Sequence, residues 1–127
     1  MPKVNLYPGD LNKVISTQLS LFKTVNKNIE WSYINNLPKD YKIMIDAQQL
    51  RQALTNIFQN SVDSIYESPS NNKGLIKVLT ELKKTKVLLI IEDNGPGFPK
   101  NRESLTNPYV TLRDKGTGLG LSIVSRI

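Results

Sequence analysis

Five consecutive apolar residues, Val87-Leu88-Leu89-Ile90-Ile91, run directly into Glu92-Asp93-Asn94-Gly95-Pro96-Gly97-Phe98-Pro99. An apolar run this short, closed by turn-forming residues, reads as a strand buried inside a sheet. Leu75–Leu82 reads as its hairpin partner, across a turn at Lys83-Lys84-Thr85. Upstream, Glu30–Ile34 and Tyr41–Ile45 alternate as strands around the turn-like stretch 35–40. Two helical patterns accompany them. One starts after Asp10, a suitable N-cap, and lines up Leu11, Val14, Ile15, Leu19 and Phe22; the other runs from Asp46 to about Tyr66. Residues 1–9 read as linker, 68–74 as a polar loop and 93–116 as mostly irregular. From Gly118 onward a third helix is expected, carrying Leu121, Val124 and Ile127. Without regular βαβ alternation, the expected class is α+β, with helices on one face of a mixed sheet.

Composition narrows the chemistry. A chain of 127 residues with 39% hydrophobic content suits one domain with one core. No apolar stretch is long enough to cross a membrane, and the start lacks the apolar segment of a secretory signal. There is no cysteine, which fits a reducing cytoplasm, and no histidine. The missing histidine excludes Ser-His-Asp and Cys-His catalysis, His-ligated zinc, and phosphotransfer onto a histidine of this chain. The net charge of +6 is carried by scattered lysines, with only Lys83, Lys84 and Lys86 clustered. A solvated basic surface is expected rather than a nucleic-acid partner.

Three segments carry candidate chemistry. On the second helix Asn56, Asn60 and Asp63 fall at i, i+4 and i+7, opposite a core stripe that includes Leu54 and Phe58. That face is either merely solvated or a magnesium site, since Mg²⁺ accepts one or two oxygen ligands alongside water and phosphate. At the end of the apolar strand Asp93 is either a solvated turn residue or a buried acceptor awaiting a donor such as an exocyclic amine. Gly95 and Gly97 would let the backbone approach a flat ring. Lys115-Gly116-Thr117-Gly118-Leu119-Gly120-Leu121-Ser122 is either a helix-packing cluster or an anion cradle of free amides. It lacks the Gly-Lys-Ser/Thr of a P-loop, and Leu121 stands where a Rossmann fingerprint needs a small residue.

In this order, LRQALTNIFQNSVDSI, DNGPGF and GTGLGLSIV resemble the asparagine box and two glycine boxes of the gyrase, heat-shock-chaperone, histidine-kinase and MutL superfamily of ATP-binding domains. Within it the chain looks like the histidine-kinase branch, and NPYVTLRDKGTGLGL is similar to nitrogen-regulation sensors of the NtrY type. The resemblance covers about residues 26–127, taken as the ATP-binding catalytic domain, with 1–25 as linker and N-terminal helix. It implies a two-layer α/β sandwich of the Bergerat type, shortened at its C-terminus and left with an unpaired apolar sheet edge. It further implies that Asn60 ligates Mg²⁺, with Asn56 as its polar companion near the phosphates of ATP. Asp93 would receive the adenine amine, with Gly95, Gly97 and Phe98 shaping the pocket. Gly116, Gly118 and Gly120 would offer amides to phosphate, flanked by Leu119 and Leu121. Arg113, Lys115 and Thr117 would be lid contacts, and Tyr109 the lid's aromatic residue.

One departure stands inside the asparagine box. Many family members carry a lysine where this chain has Asp63, so that phosphate contact is missing or passes to Lys115 or Arg113. Asp63 is nonetheless kept among the expected nucleotide-contacting residues. The activity implied is transfer of the γ-phosphoryl group to a histidine on a separate dimerisation domain, for relay to a response regulator. A cytoplasmic location follows, in a parent protein anchored in the inner membrane, with this chain monomeric on its own. Two other readings stand beside it: a gyrase- or MutL-like ATPase, and a module that only binds nucleotide. Asn56 separates the first of these, because the ATPase branches place a glutamate there to activate water, and a neutral amide cannot take that proton.

Overall fold

The computed structural model describes residues 5–67, 73–84, 86–95, 112–113 and 120–126. Two helices begin in the same way. In α1 (Leu11–Val25) the Asp10 carboxylate accepts the Lys13 backbone N–H at 3.2 Å, and in α2 (Ala47–Tyr66) Asp46 accepts that of Gln49 at 3.1 Å. Each cap satisfies one of the donors a helix start leaves without a partner. Helix α1 ends at Asn26, whose backbone N–H and side-chain Nδ2 both donate to the Phe22 carbonyl at 2.9 Å. The residues predicted to face inward do so. Leu11, Ile15 and Leu19 of α1 meet Leu50, Leu54, Ile57 and Phe58 of α2 in one core, each such side chain contributing about 1.5–3 kcal/mol on full burial. Gln18, buried between the helices, is satisfied by donating Nε2 to the Arg51 carbonyl (3.1 Å) and to Thr55 Oγ1 (2.7 Å). Phe22 and Trp31 close on Phe58 edge-to-face, with ring centroids 5.4 and 5.8 Å away.

The helices cover one face of a mixed sheet. Its strands β2 (Ile29–Asn35), β4 (Gly74–Lys83), β5 (Lys86–Asp93), β6 (Leu112–Arg113) and β7 (Gly120–Arg126) lie in the order β2-β4-β5-β7-β6. Strand β4 runs parallel to β2 and antiparallel to β5, while β7 runs parallel to β5 and antiparallel to β6. Alternation places Ile76, Val78 and Thr80 of β4 in the same row as Asp93, Ile91 and Leu89 of β5, all buried. Asp93 therefore terminates a row of core side chains on the helix-covered face. The fold is α+β, as the element pattern predicts.

Two segments differ from the sequence reading. The end of the expected linker, Tyr7–Gly9, together with the N-cap Asp10 forms strand β1 (Tyr7–Asp10), paired antiparallel with β3 (Lys42–Ile45) in a separate two-stranded sheet. Two breakers, Pro8 and Gly9, hide it in the sequence, and a two-residue alternation is too short to outweigh them. The second difference is larger. Residues 120–126, expected as a helix, form β7. Leu121 and Ile123 are buried opposite Val87 and Leu89, so the period-2 pattern of these two residues wins over the helical spacing of Leu121 and Val124. The apolar strand β5 needs a neighbour on its second edge, and the β-branched pair Ile123-Val124 suits that place. Strand β7 thus covers the second edge of β5, and among the described residues β6 pairs with it only at Gly120 and Leu121.

Candidate functional site

The site is assembled where β5 ends, β4 begins and α2 nears its C-terminus. Asp93 is 9% exposed, and its Oδ1 accepts the Gly95 backbone N–H at 2.9 Å, an Asx turn that swings the chain off the sheet. Gly95 is buried against α2. A Cβ at this position would lie 2.9 Å from the Ser64 carbonyl carbon and 3.0 Å from its Cβ. Only glycine admits so close an approach without moving a backbone. A similar contact sits beside it. A Cβ on Gly74, the first residue of β4, would come within 2.5 Å of Ile65 Cγ2. Two successive α2 residues are thus seated against the two strand ends.

Ser64 carries the contact toward the asparagines. Asn56, Asn60 and Ser64 stand at i, i+4 and i+8 on α2 and so form one stripe along the helix. Asn56 and Asn60 are exposed, which leaves their amide oxygens open to water and to a ligand. The stripe leads from Asn56 through Asn60 to the turn at Asp93–Gly95. Ser64 was not singled out in the sequence. Its signal is the four-residue step beyond Asn60, which is easily passed over because the residue is small and only its contact with Gly95 gives it meaning.

Asp63 also has a partner within the helix. Its Oδ1 accepts from Gln59 Nε2 at 2.8 Å, and both residues line an open groove between α1 and α2, with Leu21, Val25 and Tyr66. Asp63, three residues after Asn60 and seven after Asn56, stays on the same face of α2, at the margin between that face and the groove. Leu121 belongs to the core. Gly120 pairs with Lys86 and with Arg113, at the opposite end of β5 from Asp93. Seven residues of strand separate those ends, about 23 Å. Gly97, Phe98, Tyr109, Lys115, Gly116, Thr117, Gly118 and Leu119 lie outside the described residues. Among the described residues no cluster of three or more His, Cys, Asp or Glu side chains could hold a metal, and no helix is long and apolar enough to cross a membrane.

Comparison with known proteins adds three findings. The sequence pattern of the histidine kinase-, DNA gyrase B-, and HSP90-like ATPases matches residues 45–127. The nitrogen regulation protein NtrY of Azorhizobium caulinodans is 32% identical across all of this chain, which spans 17% of that protein. Sporulation kinase B of Bacillus subtilis is 33% identical across the whole chain, which spans 30% of it. Among solved structures, the catalytic domain of the histidine kinase ThkA superposes with a TM-score of 0.64 at 26% identity, covering 90% of this chain and 73% of that one. ThkA has also been seen in complex with the response regulator protein TrrA, and that kinase chain superposes with a TM-score of 0.63 over 85% of this chain and 31% of its own length.

Proposed function

The chain belongs to the family of histidine kinase-, DNA gyrase B- and HSP90-like ATPases, and we propose that it binds ATP with Mg²⁺ and donates the γ-phosphoryl group to a histidine on another domain. One observation carries this reading: the seating of Gly95 on Ser64, which sets the Asp93 carboxylate beside the helix bearing Asn56 and Asn60. Asp93 accepts the adenine amine at the end of its buried row, and Gly95 and Gly97 leave room for the ring. Asn60 offers an amide oxygen to the metal and Asn56 assists it. Two exposed amides on one helix face fit a cation that keeps most of its water and takes its other ligands from phosphate. The metal neutralises phosphate charge, and what remains for the protein is positioning.

Because the chain contains no histidine, the acceptor lies elsewhere, on a dimerisation domain, and a response regulator receives the phosphoryl group next. The related kinase ThkA forms a complex with such a regulator. Asn56 favours transfer over hydrolysis, since it has no carboxylate with which to activate water. The domain works in the cytoplasm, within a parent protein held at the inner membrane, and without nucleic acid. Amides of Gly116 and Gly118, with Lys115 and Thr117, are proposed as the phosphate cradle. In the conformation described, Gly120 starts β7 beside Lys86, at the end of β5 remote from Asp93.

Calorimetric titration with ADP, with and without Mg²⁺, tests the reading. Binding is expected to require Asp93 and to strengthen with Mg²⁺, and a folded Asp93→Ala protein with undiminished affinity overturns the adenine role. When the chain is mixed with its parent's dimerised histidine domain and labelled ATP, the histidine should be labelled slowly. Separate domains forgo the effective concentration a linker supplies, commonly about millimolar. Asn60→Ala should abolish the labelling. Brisk ATP turnover by the chain alone, with no histidine labelled, would transfer the case to the ATPase reading.

A further inference from the structure

We infer that Asn94, the residue between Asp93 and Gly95, is a positioning residue that sets adenine recognition, an inference that rests on the adenine role proposed for Asp93. The ladder between β4 and β5 reaches Ile76 opposite Asp93, and one further backbone bond runs from the Asn94 N–H to the Leu75 carbonyl at 3.2 Å. Beyond that point the main chain of β5 has turned toward α2 and cannot pair with β4. The Asn94 side chain takes over. Its Oδ1 accepts the Leu75 N–H at 2.8 Å, and its Nδ2 donates to the Lys73 carbonyl at 2.9 Å. One primary amide thus supplies both the acceptor and the donor that a continuing strand would have supplied.

The consequence is geometric. Asn94 ties the last residue of the ladder to the start of β4, Gly74 seats that start on Ile65, and Gly95 seats the far side of the turn on Ser64. The carboxylate of Asp93 is held between these fixed points. Free of the Asn94 bracket, the turn pivots on Gly95 and the direction of the carboxylate is no longer determined. Asn94 itself is exposed, so water can replace its hydrogen bonds to Lys73 and Leu75 at small cost to stability. Loss of the bracket should therefore appear in ligand discrimination more than in folding. Only an amide meets the requirement at this reach. Aspartate keeps the acceptor, lacks the donor, and turns a negative charge on the Lys73 carbonyl.

The experiment compares ADP with inosine 5′-diphosphate, which carries a carbonyl oxygen where adenine carries its amine. Affinities of the whole chain for both are measured for the parent, Asn94→Ala, Asn94→Asp and Asp93→Ala, with thermal unfolding and amide exchange at Leu75 recorded for each. The parent should prefer ADP. Asn94→Ala should weaken ADP binding about tenfold, the scale of one hydrogen bond to a charged group, and leave the inosine nucleotide within about twofold. Asn94→Asp should fall between, and Leu75 exchange should quicken most in Asn94→Ala. A folded Asn94→Ala protein that keeps its ADP preference, or loses both affinities in equal proportion, overturns the inference while Asp93→Ala still abolishes ADP binding. If Asp93→Ala leaves ADP affinity undiminished, or the parent binds neither nucleotide, the adenine role itself falls and the role of Asn94 with it. Should Asn94→Ala fail to fold, Asn94→Asp decides by the same ratio.

Discussion

The two ends of the sheet are built from different materials. At the end where β5 stops, order comes from the Asx turn on Asp93 and otherwise from neutral groups: the Asn94 amide bracket, the Asn26 amide that closes α1 and accepts the Tyr66 hydroxyl at 3.1 Å, and two glycines pressed on Ile65 and Ser64. At the opposite end, order comes from titratable ones. Asp10 and Asp46 cap the helices, Asp46 also accepts the Asn5 N–H at 3.0 Å, and Tyr33 donates its hydroxyl to Asn12 at 2.6 Å. The β4–β5 hairpin at that end carries an exposed pair, Lys83 with Glu81 at 4.0 Å, which contributes little. Steric fit governs the end proposed to bind nucleotide, and charge governs the end that holds the helix starts. Substitutions at the first should alter ligand affinity, and changes of pH should act first on the second.

The largest effect is expected from Gly95→Ala. The new methyl meets the Ser64 backbone at 2.9 Å, too close for either chain to yield locally, so the turn must shift. Overpacking of this kind costs about 1–3 kcal/mol. Nucleotide binding should disappear with it, because the shift carries Asp93 away from the asparagine stripe. Urea unfolding together with ADP titration measures both. A stable Gly95→Ala chain with parental affinity would show that fit at this end is looser than the contact implies.

How much of this was legible beforehand depends on the range of the signal. Helix α2 announces itself over 20 residues by its core stripe and by Asp46 as cap, and β5 by its unbroken apolar run. Asp93 and Gly95 could be named because the turn follows that run directly. The bracket formed by Asn94 could not, since its partners Lys73 and Leu75 lie about twenty residues away and only the ladder register aligns them. Segment 120–126 is the opposite case. Its local pattern supports a helix through Leu121 and Val124 and a strand through Leu121 and Ile123, and the open edge of β5 decides between them. That decision is tertiary, so the sequence of the segment does not contain it.

At the charge-governed end, Asp46→Ala should lower the melting temperature by several degrees, on the scale of a lost N-cap, and leave ADP affinity unchanged. Hydrogen bonds from the backbone of Asn5 and Gln49 hold the Asp46 carboxyl below its ordinary value of 3.8. A carboxyl with a depressed folded value contributes stability above its unfolded value, and that stability is lost as the pH falls below 3.8 and through the folded value. The parent should therefore lose stability on acidification more steeply than Asp46→Ala, as melting curves at descending pH would record. Parallel acid profiles would move the acid sensitivity to another group.

A gain is expected at the hairpin. Lys84 sits at φ 45°, a left-handed conformation that glycine adopts freely and lysine does not. Lys84→Gly should raise stability by about 0.5–1 kcal/mol, the strain removed outweighing the extra freedom of the unfolded chain. Affinity for ADP should stay at the parental value, since the hairpin is a full strand length from Asp93. A weaker nucleotide complex in this variant would mean that the two ends of β5 are coupled and that their separation is incomplete.

The smallest effect concerns Tyr33, and it appears only in alkali. Burial, with the nearby negative charge of Asp10 second, pushes its hydroxyl from 10.0 up to about 12. Between those values the unfolded chain releases the proton and the folded chain keeps it. Folding stability supplied by this group is therefore complete below pH 10.0 and declines as the pH rises toward about 12. Tyr33→Phe removes the proton and the bond to Asn12, so at neutral pH the variant should be slightly less stable than the parent. On titration into alkali the parent should lose stability faster, and the two should converge. The two proteins differ at this one side chain, so the difference between their urea midpoints isolates Tyr33. ADP affinity, measured alongside at pH values where the chain stays folded, should be the same for both, because Tyr33 lies among the helix starts and Asp93 does not. A gap between the midpoints that holds constant into alkali would place the hydroxyl in water, and a gap that widens would reverse the sign of its shift.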